Sequence, residues 1–307
     1  MILKAFIDNK KPSLLQTIFV VSICAFMWGI GNVIIRSLLI EGVNEIFLVA
    51  LRVSIIGVLL LLYLFIFNDE KYDMTLIRRA SLTGLISIFF VSWSFVYALK
   101  FISSGLVTLM ISSAPIFTII WLKIFLKNEK ITKLKYLAIF TGFLGISYLF
   151  ITKETGLVDD GNIVFGGSLA FIGVQSISLA TVFNRKYAPK YKISVWLSFQ
   201  YPFVVLLSLV VFFISGVGIE ILSISQAMRV LFVVISNITA FLCFTWLIQR
   251  VTALFVATID YLVPIVGVTG GILLLGETFN TNIFVSSVFI FLSLIITTKD
   301  EFFKLKD

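Results

Sequence analysis

Asp260 and Arg52 are the two residues whose types and positions could do chemistry in an otherwise apolar chain. Asp260 stands eight residues into the apolar run that opens at Thr252-Ala253, about 12 Å from its end at 1.5 Å per residue. Arg52 lies seven residues into another run, roughly 10 Å deep by the same rise. Ionisable groups at such depth are costly and mark substrate, ion or proton pathways. Pro264 sharpens the case, because a proline has no N–H and leaves the carbonyl four residues earlier, that of Asp260, without its helical donor. A free backbone oxygen at membrane depth is tolerated where it lines a wet cavity or meets another polar group. Several roles stay open: a fixed ion pair or a helix-end hydrogen bond, proton binding at Asp260, or capture of a substrate ammonium by Asp260 and a substrate carboxylate by Arg52.

Other chemistry is excluded by what is missing. The chain has no histidine, which removes histidine relays, histidine metal sites and serine–histidine catalysis. Its two cysteines, Cys24 and Cys243, sit in apolar runs and offer no disulfide or zinc framework. An intramembrane aspartyl protease needs two membrane aspartates, and only Asp260 qualifies. No catalytic residue, metal or cofactor is expected, and the protein is not expected to be an enzyme.

The elements that position these residues repeat. LIQRVTALFVATIDYLVPIVGVTGGILLLGE, Leu247 to Glu277, has small residues at its opening, Pro264 twelve positions after Thr252, and a closing Glu277. Ala98 to Glu129 has the same plan: Ser103-Ser104, then Pro115 twelve positions on, then Asn128-Glu129. The prolines lie 149 residues apart, close to half of the 307. A mid-helix proline kinks a helix and is unfavourable without a reason, so its recurrence at Pro115 and Pro264 argues for duplication. Ile111 occupies the position matching Asp260, so the duplicated plan does not itself require the acid.

Composition sets the class. Hydrophobic residues make up 60%, charged residues only 13%, and mean hydropathy is +1.11. A soluble domain carries about a quarter charged residues, so this is a polytopic membrane protein. Spans of roughly 20 apolar residues are expected near 14–36, 45–67, 80–99, 103–126, 134–151, 163–183, 193–214, 229–248, 252–275 and 282–298. The expected fold is an all-α membrane protein of ten transmembrane helices in two inverted five-helix repeats, 14–151 and 163–298, joined by the polar linker Thr152–Asn162. Five spans per half is odd, so the halves enter the membrane in opposite directions, as in secondary transporters. With the N-terminus inside, most of the 24 Lys and Arg fall on cytoplasmic segments. Both termini are therefore expected in the cytoplasm, in a bacterial inner membrane, with no cleaved signal. The +8 net charge reads as membrane topology, not nucleic-acid binding.

Ten spans in two five-span halves, Pro-bearing fourth and ninth spans ending in Glu, and the first-span segment FMWGIGNVIIR (Phe26 to Arg36) together resemble the EamA family of the drug/metabolite transporter superfamily. The resemblance covers essentially the whole chain. It implies a secondary transporter of a small metabolite, an amino acid or related solute, with export as the expected direction. The expected partners are that solute, the lipid bilayer and a proton as candidate coupling ion. The rival readings are a structural or assembly subunit and a carrier of nucleotide-sugar-like or drug-like solutes.

Polar and aromatic residues within spans complete the expected cavity. Trp28, Asn32 and Arg36 form one stripe at i, i+4, i+8. Trp28 and Asn32 are assigned to the cavity, and Arg36 to a helix–helix bond or the outer headgroups. Trp93 and Tyr97 (one i, i+4 pair), Gln175, Asn237 and Tyr261 join Arg52 and Asp260 on the expected wall. Ser178 and Thr181 share a stripe with Gln175. Glu129 and Glu277 are read as caps or partners of neighbouring loop residues.

Overall fold

The structure, a computed structural model, describes residues 12–67, 72–125, 133–158, 161–251, 256 and 259–304. Glu129 and Thr252-Ala253, expected to close one proline helix and open the other, lie outside the described residues. Helices account for nearly all of the rest, in the order α1 Leu14–Ile40, α2 Glu45–Phe67, α3 Met74–Ala98, α4 Ser104–Phe125, α5 Lys133–Thr152, α6 Ile163–Tyr187, α7 Ile193–Ile214, α8 Ile224–Arg250, α9 Ile259–Leu275 and α10 Thr281–Lys304. No strand occurs among the described residues. Seven helices, α1–α4 and α6–α8, are long and apolar enough to cross a membrane. The other three carry shorter apolar stretches, Tyr136–Thr152, Ile259–Leu275 and Thr281–Ser293.

The helix starts are written locally. Ser13 and Ser223 each close a capping box, with Gln16 and Gln226 three residues on. Asp73, Ser103 and Asn162 accept the backbone N–H of Leu76, Leu106 and Phe165 at 2.9, 3.0 and 3.0 Å. At the other end, Gly42 after α1 and Gly276 after α9 take positive φ (87° and 66°), the left-handed turn that stops a helix.

Three helices depart from the continuous spans expected. α4 breaks into Ser104–Ile111 and Ala114–Phe125. Pro115 cannot donate to the Ile111 carbonyl, and the chain turns there on shorter bonds, Ser113 N to Met110 O (3.0 Å) and Ile116 N to Ser113 O (3.1 Å). Pro264, by contrast, stays inside an unbroken α9. α3 contains a π segment, Leu85–Phe90, and α7 breaks at Phe199-Gln200. The last two irregularities meet. A Cβ on Gly84 would stand 2.1 Å from the Gln200 carbonyl oxygen, so only glycine lets the backbones approach this closely, and Ser87 Oγ donates to Gln200 Oε1 at 2.9 Å.

Packing follows the duplication. α1 packs on α8 and α9, and α6 packs on α3 and α4 in the same way; α2 pairs with α7, α4 with α9 and α5 with α10. Adding five to each helix of the first half, and subtracting five in the second, maps these pairings onto themselves. In α5 and α10 the correspondence reaches single bonds. Ser286 Oγ donates to the Gly145 carbonyl (2.7 Å), and Ser293 Oγ donates to the Ala138 carbonyl (2.5 Å). Ala138 and Ser286 are 148 positions apart, as are Gly145 and Ser293, so exchanging the repeats turns one bond into the other.

The end of the bundle where α1 begins is called the N-face, and the opposite end the far face. At the far face the polar linker binds both halves. Ser103 N donates to the Thr155 carbonyl (2.8 Å), Thr278 N to the Gly156 carbonyl (3.0 Å), and Asn282 Nδ2 to Glu154 (2.8 Å). The segment that separates the halves in sequence therefore docks against the start of α4 and the end of α9.

Candidate substrate cavity

Between the halves lies a cavity holding about 1100 Å³ of empty space, its mouth included. Its wall comes from α1, α2, α3 and α4 of the first half and from α6, α8 and α9 of the second. The repeat offset of 149 pairs positions across it: Trp28 with Ile177, Asn32 with Thr181, Ile35 with Asn184, Phe95 with Phe244, and Ile111 with Asp260 all line the wall.

The polar groups on the wall divide into those already engaged and those that are not. Asn32 Nδ2 donates to the Trp28 carbonyl (3.2 Å), Asn237 Nδ2 to Val233 (2.8 Å) and Thr181 Oγ1 to Ile177 (3.0 Å), each one turn back on its own helix. Asn184 Nδ2 donates to the Ala180 carbonyl (3.0 Å), and its Oδ1 accepts from Trp196 Nε1 (2.8 Å). Arg52 is different. It is 5% exposed, its Nε is buried without a hydrogen-bond partner, and it makes no salt bridge among the described residues. Asp260 likewise makes no salt bridge among them. The wall thus presents one guanidinium and one carboxylate unpaired with each other. The Trp28 ring on the same wall packs on Phe241 (centroids 5.8 Å, edge-on) and Phe244 (5.6 Å).

Of the residues expected on the wall, the structure brings together Trp28, Asn32, Arg52, Asn237 and Asp260. Trp93, Tyr97, Gln175 and Tyr261 stand outside it. Trp93 Nε1 donates to Ser208 Oγ of α7 (3.4 Å), and the Trp93 ring stacks on Tyr97. Gln175 Oε1 accepts from Trp121 Nε1 (3.2 Å), turned toward α4. Tyr261 packs against the larger hydrophobic cluster. Ser178, also in the Gln175 stripe, bonds the Ala114 carbonyl (2.8 Å) and so steadies the break in α4. Sequence reasoning did not single out Ser87, Ser92, Asn184, Phe95, Phe241 or Phe244. Moving Asn32 by 149 positions gives Thr181, which lines the same wall, so the repeat offset was a signal present in the chain.

At the far face the expected kinds of contact form with distant partners. Glu277 is a cap, but of another helix and not of its own loop: its carboxylate accepts Ser104 N (2.7 Å), Ser104 Oγ (2.9 Å) and Gly105 N (3.0 Å) at the start of α4. Beside it α4 and α9 touch through glycine, a Cβ on Gly267 falling 2.3 Å from Thr108 Oγ1. Arg36 makes the helix–helix bond of its two expected roles, donating to the Leu99 carbonyl at the end of α3.

A two-repeat bundle, helical with no strand among the described residues, around a largely apolar cavity that carries a few polar and charged groups is the architecture of a membrane carrier. The chain belongs to the EamA-like transporter family, which it matches over residues 15–151 and 164–299. A solved crystal structure of a protein has a similar fold, with a TM-score of 0.65 at 15% identity over 93% of this chain and 98% of that one. Compared with curated proteins, the chain matches none.

Proposed function

We propose that the protein is a secondary transporter that moves an amino acid or related small metabolite by alternating access, with efflux as its working direction. The observation that carries this reading is the unpaired Arg52 and Asp260 on one cavity wall. A buried guanidinium without an anion is costly, and a substrate carboxylate supplies the missing partner with a strong, charge-assisted bond. A carboxylate on the other helix suits an ammonium or a coupling proton. A scaffold subunit has no use for either charge, and nothing in the duplicated plan requires them: Tyr201 and Ile111 stand at the matching positions.

Ten crossings, in two inverted repeats, are supported by α5 and α10. Their two serine bonds pair rising positions on one helix with falling positions on the other, which is an antiparallel contact about a two-fold axis across the helices. Applied to the bundle, that axis lies in the membrane plane and inverts one half relative to the other. In this structure α9 packs on the first half of α4 at the far face. The reading assigns the N-face to the cytoplasm, on the distribution of Lys and Arg.

The test is a comparison of metabolites in cells with and without the protein, followed by flux of the altered solutes in proteoliposomes under a proton gradient. Accumulation or depletion of amino-acid-like solutes, reproduced as flux, is the expected result. Absence of protein-dependent flux for every altered solute overturns the proposal.

A further inference from the structure

Arg36 and Arg185 lie 149 positions apart, as do Leu99 and Ile248. Arg36 Nη1 donates to the Leu99 carbonyl, and Arg185 Nη1 donates to the Ile248 carbonyl at 2.7 Å. Duplication has therefore carried one arginine bond to both ends of the bundle, spanning the same 63 residues each time. The acceptors explain its use. Leu99 ends α3 and Ile248 lies in the last turn of α8, and the final carbonyls of a helix have no donor within it. A guanidinium there satisfies the orphan oxygen and meets the negative end of the helix dipole.

The place of each acceptor along the chain gives the bond a second consequence. The chain turns within a few residues of Leu99 into α4, and beyond Ile248 it leads into α9, the two proline helices. α4 is tied to the far-face contact with Glu277, and α9 carries Asp260. Each arginine thus holds the end of the helix that precedes a proline helix in the chain, Arg36 at the far face and Arg185 at the N-face. The two anchors are not equally tight. Arg185 also takes the Val251 carbonyl (3.0 Å), whereas Arg36 leaves its buried Nε without a partner and lies within electrostatic reach of Glu277.

We propose that Arg36 and Arg185 are repeat-related gate anchors, positioning residues that each restrain the gate at their own face. Loss of Arg36 then favours opening at the far face, and loss of Arg185 favours opening at the N-face. The inference rests on the alternating-access reading above.

The experiment uses the full-length protein with Cys24 and Cys243 replaced by serine and one reporter thiol, Ser92→Cys, on the cavity wall. A membrane-impermeant maleimide is added to one face of oriented vesicles at a time, and the ratio of far-face to N-face labelling rates is measured. Arg36→Gln should raise that ratio about tenfold, the scale of one charge-assisted hydrogen bond, and Arg185→Gln should lower it. Arg36→Lys and Arg185→Lys keep a charge and a donor; they should move the ratio back toward the parent's, less completely for Arg185 with its two acceptors. A pair of caps that merely stabilise the fold lowers Tm in both variants and leaves the ratio alone, or moves it the same way, and either outcome overturns the inference. If the parent labels from one face alone, alternating access itself fails and takes the anchors with it. Should Gln variants not insert, the same ratio is read in the Lys variants, where unchanged values overturn the proposal.

Discussion

The carboxylate of Glu277, at the end of α9, sits on the backbone N–H of Ser104, at the start of α4, 2.7 Å away and 173 residues distant in the chain. Two further bonds, from Ser104 Oγ and Gly105 N, complete the cap. A carboxylate at a helix N-terminus satisfies orphan donors and meets the positive end of the dipole. Here it also joins the two repeats, so breaking it is part of any far-face opening. Glu277→Gln keeps one acceptor and loses the charge, at a cost of about 2 kcal/mol for charge-assisted bonds. The expected result is a lower Tm together with faster far-face labelling of a cavity thiol. A lower Tm with unchanged labelling would confine Glu277 to fold stability.

Arg52→Met retains much of the side chain's apolar length and removes its cation. If Arg52 holds a substrate carboxylate, one hydrogen bond to a charged group is lost, about 1.5–3 kcal/mol or roughly 10- to 150-fold in apparent affinity. The variant should fold at least as well as the parent, because a buried unpaired charge has been removed. Unchanged concentration dependence of flux would remove Arg52 from substrate binding.

Asp260→Asn should leave the protein folded and inserted, since Ile111 serves at the repeat-related position of the same wall. Net transport, or its dependence on pH, should be abolished. Wild-type flux with a wild-type pH profile in the Asn variant sinks both the proton and the ammonium role.

Gly84→Ala tests the meeting of the α3 π segment with the α7 break. The new Cβ would lie 2.1 Å from the Gln200 oxygen, a backbone atom that cannot rotate away. Overpacking of this kind costs about 1–3 kcal/mol, and it should also disturb Ser87 on the cavity wall. Gly218→Ala, with nothing within 4 Å, is the control expected to leave Tm unchanged. Equal Tm values for the two variants would show that the approach of α3 to α7 is not tight.

At the far surface Arg229 hydrogen-bonds Glu41 and holds its carboxyl below the usual carboxylate range. A depressed folded pKa means that the pair stabilises at pH above the unfolded value, near 4, and that the contribution is lost as pH falls through the folded value. Glu41 is exposed, so the effect is small and screened by salt. Glu41→Gln should lower Tm slightly at neutral pH and low salt, and not at all in acid. A Tm difference that persists in acid would mean that packing, not charge, links α1 to α8.

Composition, the paired prolines and the two deep charges were legible in the chain because each is a local property: an apolar run long enough to span, a missing N–H, an ion far from a helix end. The repeat was legible too, since duplication leaves an offset that any two positions can reveal. The side of each helix that faces the cavity was not. Trp93 and Gln175 have the residue types of a binding wall, yet helix packing turns them toward Ser208 and Trp121. A stripe along a helix has a direction only once its neighbours are placed, and those neighbours lie 115 and 54 residues away. Likewise Pro115 foretold a disrupted helix, but Ser112-Ser113 and the hydroxyl of Ser178 on α6 decided that α4 would break while α9 continues through Pro264. Glu277 and Arg36 are the clearest cases: a cap and a helix–helix bond were legible as kinds of contact, but which helix each would serve, α4 and α3, was decided only when the tertiary fold brought those orphan backbone groups to them.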